Sequence, residues 1–148
     1  MLHLIKDLTD PLIDYLLQDP VRPELPPEFR VAENREAFAL KDNDKVKAIV
    51  CVAYNVGIPA SVKDLVEYID ANPDTAVFYT IWSYAAGAGR DLLEEAQAHI
   101  KETKSGITNF VTLSPKTEMA KRFHMKNGAV ELQENDTTIN YEYSINKK

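Results

Sequence analysis

The stretch from Val77 to Ile100, VFYTIWSYAAGAGRDLLEEAQAHI, constrains the fold more than any other part of the chain. It starts as an apolar and aromatic run with strand character and breaks at Gly87 and Gly89. It resumes with apolar residues at Leu92, Leu93, Ala96 and Ile100, the spacing of one helix face. A strand, a glycine turn and a helix start make a ready anion site. The first backbone N–H groups of a helix lack internal partners, and its dipole adds partial positive charge there. Glycine has no Cβ, so a phosphate can come close to the backbone. Two readings follow. The turn holds the pyrophosphate of a cofactor, or it is a strand-to-helix corner whose small residues serve packing.

The rest of the composition narrows the function classes. A chain of 148 residues reads as one domain, 1–148, long enough to bury about two-thirds of its unfolded surface. A formal net charge of −6 disfavours non-specific nucleic-acid binding, which needs a footprint of Lys and Arg. The lone cysteine, Cys51, lies in an apolar run and reads as a small core residue. No run approaches the ~20 apolar residues of a membrane span, so no membrane partner is expected. The first seven residues carry no leader pattern, and a reducing, cytoplasmic setting fits best. Asp42-Asn43-Asp44 lacks the spacing and closing Glu of a calcium loop; it reads as a hairpin turn, and no metal site is expected.

Taken in order, residues 2–5 are extended, and Thr9 or Asp10 caps a helix that runs through Gln18 and stops at Pro20. Residues 21–29 hold Pro23, Pro26 and Pro27. They cannot form a regular helix or an internal strand, and read as a connector or as the wall of a groove. Residues 35–41 and 45–55 form a hairpin, with Ala37 and Ala39 on one face and Phe38 and Leu40 on the other. Ser61 caps a short helix with Leu65, Val66 and Ile69 on one side. A central strand over 75–84 leads into a helix over 90–104 closed by Ser105-Gly106. After a strand over 107–113, Ser114 as cap and Pro115 at the first position open a helix that buries Met119, Ala120 and Phe123. Asn127-Gly128 closes it. Strands over 129–133 and 138–145 form a last hairpin around Glu134-Asn135-Asp136, and Lys147-Lys148 is a tail. The class is mixed α/β, with a right-handed crossover in the strand–helix–strand unit.

This order of elements resembles the GNAT family, the Gcn5-related N-acetyltransferases, over almost the whole chain, and two motifs carry the resemblance. The family turn Gln/Arg-x-x-Gly-x-Gly/Ala is matched by Tyr84-Ala85-Ala86-Gly87-Ala88-Gly89 at both small positions, with Tyr84 in place of Gln or Arg. Arg90 follows and could restore a positive charge. The family pattern Asn-x-x-Ala-x-x-Phe/Leu-Tyr-x-x-x-Gly-Phe is matched at Ala120, Phe123 and Gly128, with Thr117, His124 and Ala129 at its Asn, Tyr and Phe positions.

The resemblance implies a GNAT-like central mixed sheet of about six to seven strands flanked by helices. It implies acetyl-CoA as co-substrate, bound by Trp82, Ser83, Tyr84, Ala85, Gly87, Ala88, Gly89, Arg90, Thr117 and Lys121, with Lys116 and Arg122 near the adenosine phosphate. The backbone amides near Trp82 and Ser83 would polarise the thioester carbonyl between two splayed strands. His124, standing for the family's Tyr, would protonate the leaving thiolate as an imidazolium, since an ordinary histidine titrates near ~6.5. Glu36 or Asp74 would take the proton of the attacking amine. Phe29 and Tyr68 either line the acceptor groove or belong to the core. The implied function is an acetyl-CoA-dependent N-acetyltransferase acting on a primary amine of a small molecule, peptide or protein, and a homodimer is common in that family. The departures at Tyr84, Thr117 and His124 keep open a second reading, a catalytically degenerate GNAT-like module that binds CoA or a partner. A dinucleotide oxidoreductase is disfavoured, because the turn lacks Gly-x-Gly-x-x-Gly and no strand–turn–helix unit precedes it.

Overall fold

Alternation at the start of the chain sets the frame of the sheet. The computed structural model describes residues 1–67 and 72–143. Strands β2 (Arg35–Asp42) and β3 (Lys45–Asn55) pair antiparallel around Asn43-Asp44, and Asn43 takes the left-handed conformation such a tight turn needs, φ 57°. Strand β1 (Leu2–Ile5) adds to the outer edge of β2, and β4 (Thr75–Ser83) to the inner edge of β3. A helix, α3 (Ala88–Thr103), then carries the chain to β5 (Asn109–Thr112), which lies parallel to β4. Strand β6 (Ser114–Pro115) pairs with β8 (Thr138–Tyr143), helix α4 (Glu118–Lys126) intervenes in sequence, and β7 (Val130–Glu134) also pairs with β8.

Among the described residues this gives one mixed sheet of eight strands in the order β1-β2-β3-β4-β5-β8-β6, with β7 on β8. The expected six to seven strands fall short by the two-residue β6. One face carries Phe38, Val50, Val52 and Phe78 against Leu92, Leu93, Ala96 and Ile100 of α3. The other carries Ala37, Ala39, Ile49, Cys51 and Tyr79 against Leu16, Leu65 and the N-terminal arm. Cys51 is fully buried there, and burial pushes its thiol up to about 11, so it is an inert core residue.

Three local expectations are corrected. The helix expected before Pro20 is a 3₁₀ helix, Ile13–Gln18, entered through an Asp10 side chain that accepts from the Leu12 N–H. The proline arm does contain a helical turn, α1 (Pro27–Arg30), because Pro27 sits at its first position, where a missing N–H costs nothing. Ser114-Pro115 does not start α4. Those residues pair with Ile139 and Thr138, and Thr117 caps the helix instead, its hydroxyl accepting from the Ala120 N–H. Met119, expected on the buried face, is exposed; Ala120 and Phe123 are half-buried, and His124 is the buried residue of the helix. The short helix after Ser61 is α2 (Val62–Glu67). Tyr68, Ile69 and residues 144–148 lie outside the described residues. Among those described, no helix is long and apolar enough to cross a membrane, and no group of His, Cys, Asp and Glu could hold a metal ion.

Candidate functional site: the cleft between β4 and β5

Strand β4 changes partners halfway along its length. From Thr75 to Phe78 it is paired with β3 on one side and β5 on the other. Cys51 then faces Thr80 and Val52 faces Phe78, so Tyr79 has no partner in β3 and forms a bulge. A bulge bends and twists its strand. Beyond it β4 keeps β3 but loses β5. Leu113 N–H still reaches Phe78 O at 3.1 Å, and Ser114 and Pro115 then leave toward β8. Between the parted strands lies a cleft of about 360 Å³, lined by apolar groups that include Phe78, Ile81, Trp82, Leu113 and Phe123.

The backbone of β4 offers donors to this opening. Tyr84 N–H donates to Lys47 O of the strand-side partner. Hydrogen bonding alternates along an antiparallel pair, so Trp82 turns its N–H toward β3 while Ile81 and Ser83 turn theirs toward the cleft. The donors are therefore Ile81 and Ser83, where Trp82 and Ser83 were expected.

The polar side chains of the cleft come from β6 and α4. Ser114 is nearly buried, and its hydroxyl donates to Thr112 Oγ1 at 2.8 Å. His124 is 4% exposed; its Nδ1 lies 2.7 Å from the Tyr143 hydroxyl, and its ring stacks on Tyr141. Burial pushes the imidazole down to about 4, so the ring is neutral near pH 7, where an imidazolium was expected. Burial also raises the Tyr143 phenol above its ordinary range. With the neutral phenol assigned as the donor, Nδ1 accepts and the imidazole proton sits on Nε2.

The glycine turn sits at the rim. Gly87 has φ 78°, and a Cβ there would meet nothing within 4 Å. Gly89 plays a different part: a Cβ would lie 3.2 Å from the Phe123 ring, so this glycine lets α3 pack on α4. Ala88 N–H turns back to Ala85 O, and Asp91 N–H opens the helix by bonding Gly87 O. The amides of Gly87, Gly89 and Arg90 have no backbone partner among the described residues. Free amides, open space and a helix N-terminus fit an anionic pyrophosphate.

No protein-family model and no curated protein matches the sequence. Solved structures do match. Malonyl-CoA decarboxylase from Cupriavidus metallidurans superposes with a TM-score of 0.77 at 16% identity, over 98% of this chain and 61% of that one. The GphF GNAT-like decarboxylase, in complex with isobutyryl-CoA, gives 0.74 at 14% identity over 98% and 99%. Tetrahymena Gcn5 gives 0.65 at 15% identity over 98% and 96%. The chain has the GNAT fold. It spans 61% of the Cupriavidus decarboxylase and nearly all of the other two.

Within the GNAT fold, the residues expected at the site divide into three groups. Trp82, Ser83, Gly89, Thr117 and His124 line the cleft. Tyr84, Ala85, Gly87, Ala88 and Arg90 form the turn at its rim, and Lys121 is exposed on α4. Tyr84, at the Gln/Arg position, is spoken for: it accepts from Trp82 Nε1 at 3.0 Å, donates to Gln18, and packs edge-on against Tyr15. Arg90 is solvated beside Asp91.

Glu36 and Asp74 do not line the cleft. Glu36 accepts from the Tyr54 hydroxyl at 2.7 Å, beside a separate polar cavity that also touches Lys104. Asp74 accepts from Gly57 N–H and Thr75 at the opposite end of β4, which holds its carboxyl below the ordinary range. It is five residues from Tyr79, or roughly 16 Å of strand. Sequence reasoning missed Ser114, Tyr143 and the arm residues Asp19, Arg22 and Arg30. Phe29, left open between groove and core, packs edge-on against Tyr79 under the arm.

Proposed function

We propose that this protein is an acyl-CoA enzyme that decarboxylates a malonyl-type thioester. One observation carries the reading: among the described residues, no carboxylate lines the cleft, whereas a neutral imidazole and a serine hydroxyl do. An amine acceptor is protonated near pH 7 and must lose a proton before it attacks a thioester, which calls for a base at the site. Decarboxylation needs no such base. The bond between the α-carbon and the carboxylate breaks, CO₂ leaves, and the electron pair stays on the thioester as an enolate until the α-carbon takes a proton. The requirements are donors for the developing enolate oxygen and a proton source. The amides of Ile81 and Ser83 supply the first, with His124 Nε2–H as a further donor to that oxygen, and a water entering the cleft supplies the proton of the α-carbon. Gly87, Gly89 and Arg90 amides would hold the pyrophosphate. Among the structures that superpose well, decarboxylases stand beside acetyltransferases, which supports the same reading.

Acetyl transfer, the activity implied by the motifs, predicts a different product. Purified protein incubated with malonyl-CoA, and separately with acetyl-CoA plus a panel of amines, distinguishes the two by chromatography and a free-thiol assay. Decarboxylation gives acetyl-CoA and CO₂ with no free thiol. Free CoA appearing in step with an acylated amine, without CO₂, would overturn the proposal in favour of transfer.

A further inference from the structure

His124 meets the cleft with only one of its two ring nitrogens. Its ring lines the opening. Nδ1 lies 2.7 Å from the Tyr143 hydroxyl, in a buried contact between α4 and β8 that is the one side-chain hydrogen bond of His124 among the described residues. The two nitrogens of an imidazole point to different sides of the ring, and Tyr143 is not among the residues that line the cleft. Nε2 is therefore the nitrogen left for a ligand.

Three other rings hold the imidazole in place. Tyr141 stacks on it with centroids 5.3 Å apart, and Phe123 and Tyr143 meet it edge-on at 5.1 and 5.9 Å. Tyr143 is in turn held from the closed part of the sheet. It is 6% exposed, and its Cα pairs with that of the fully buried Phe110 in β5.

The sense of the bond follows from the chemistry of the two groups. Burial keeps the phenol neutral, and near pH 7 the imidazole too. A phenol O–H is a stronger donor than a neutral imidazole N–H, and a bare imidazole nitrogen is a stronger acceptor than a phenol oxygen. Tyr143 therefore donates, and the single imidazole proton is on Nε2. The opposite tautomer would turn a lone pair toward the cleft. A lone pair repels an enolate oxygen and suits the base that an amine acceptor needs.

We propose that Tyr143 is a positioning residue whose hydrogen bond fixes His124 in the tautomer that presents Nε2–H to the cleft, and that this contact commits the site to stabilising an enolate in place of deprotonating an amine. The inference rests on the cleft being the acyl-CoA decarboxylase site. Tyr143 touches no substrate and keeps its proton throughout; it acts through His124.

Nitrogen NMR on protein labelled with 15N-histidine reads the tautomer directly. The chain has three histidines, and His124→Gln assigns the signal by its loss. The wild type at pH 7 should show His124 in a single form, protonated at Nε2 and bare at Nδ1. Tyr143→Phe keeps the ring, removes the hydroxyl and should show both tautomers. In turnover of malonyl-CoA that variant should lose about tenfold in kcat with KM within about twofold, the effect of one lost hydrogen bond. On a His124→Gln background the same substitution should change kcat by less than about twofold, because its effect runs through the imidazole. A wild type protonated at Nδ1 overturns the inference, whether or not the variant folds. So does a Tyr143→Phe protein with wild-type tautomer and kcat, and so does an equal loss on both backgrounds, which would make Tyr143 a structural prop. A wild type with the Nε2–H form that releases no CO₂ from malonyl-CoA overturns the decarboxylase reading instead.

Discussion

The two halves of β4 are built from similar residues and do opposite things. Thr75–Phe78 and Tyr79–Ser83 are both aromatic or β-branched in the main, and both are mostly buried. The first half is paired on both sides and packs Phe78 against Phe110, with ring centroids 6.3 Å apart. The second has one paired edge, and its other edge looks into the cleft. The difference arises in the neighbours: a bulge at Tyr79 on one strand and the departure of Ser114 onto β8 on the other. A site can thus be opened inside a sheet by withdrawing one partner strand, with no change in the character of the strand that remains.

If that division holds, damage to the closed half lowers stability at any pH, whereas the open half contributes a pH-dependent stability and the ligand contacts. The largest effect is expected from Phe110→Ala, which removes a fully buried ring from the closed half. It should lower unfolding free energy by about 3–5 kcal/mol, measured by denaturant titration; a loss below about 1 kcal/mol would mean that this half is not the anchor of the sheet.

Next comes an acid effect in the open half. The His124 imidazole is held at about 4 in the folded protein against an ordinary 6.5. As pH falls, the unfolded chain therefore takes up the proton first. The stability tied to neutral His124 is complete above pH 6.5 and is lost as pH drops toward 4, by about 3 kcal/mol in all. Thermal melts across that window should fall in the wild type and be flatter in His124→Asn. Parallel curves would place the titrating group elsewhere.

The smallest effect concerns the joint between the halves and the turn. Gly89→Ala brings a Cβ against Phe123 and should destabilise by about 1–3 kcal/mol, while weakening acyl-CoA binding because α3 and α4 are pushed apart at the rim. Unchanged binding with lowered stability would confine Gly89 to packing.

The closed half was more legible in the sequence than the open one. Residues 45–55 stand out because local period and burial agree there; on the open side only the glycine break after Tyr84 was as plain, and the strand and helix ends fall within a few residues of expectation. The neutral His124, Ser114 and Arg22 were hidden for separate reasons. Ser114-Pro115 satisfies every local rule for a helix start, yet pairing with Ile139 and Thr138 prevails. The histidine's pKa is lowered by burial, and two of the rings that touch it, Tyr141 and Tyr143, come from another strand 17 and 19 residues away by numbering. Arg22 sits among prolines that signal only an irregular path.

Arg22 also bears on the order in which the molecule assembles. Its guanidinium donates to Tyr79 O and to Leu113 O, a stitch between the two strands where they part. The first contact spans 57 residues and the second 91, whereas the β2–β3 hairpin begins with Asp42 opposite Lys45. Short loops close at lower entropic cost than long ones. The hairpin belongs to the early events of folding, and the stitch across the cleft to the last. Substitutions at Arg22 should therefore accelerate unfolding and leave the refolding limb of a chevron plot in place; a slowed refolding limb would put the stitch in the nucleus. The binding site would then be the first part of the protein to come apart.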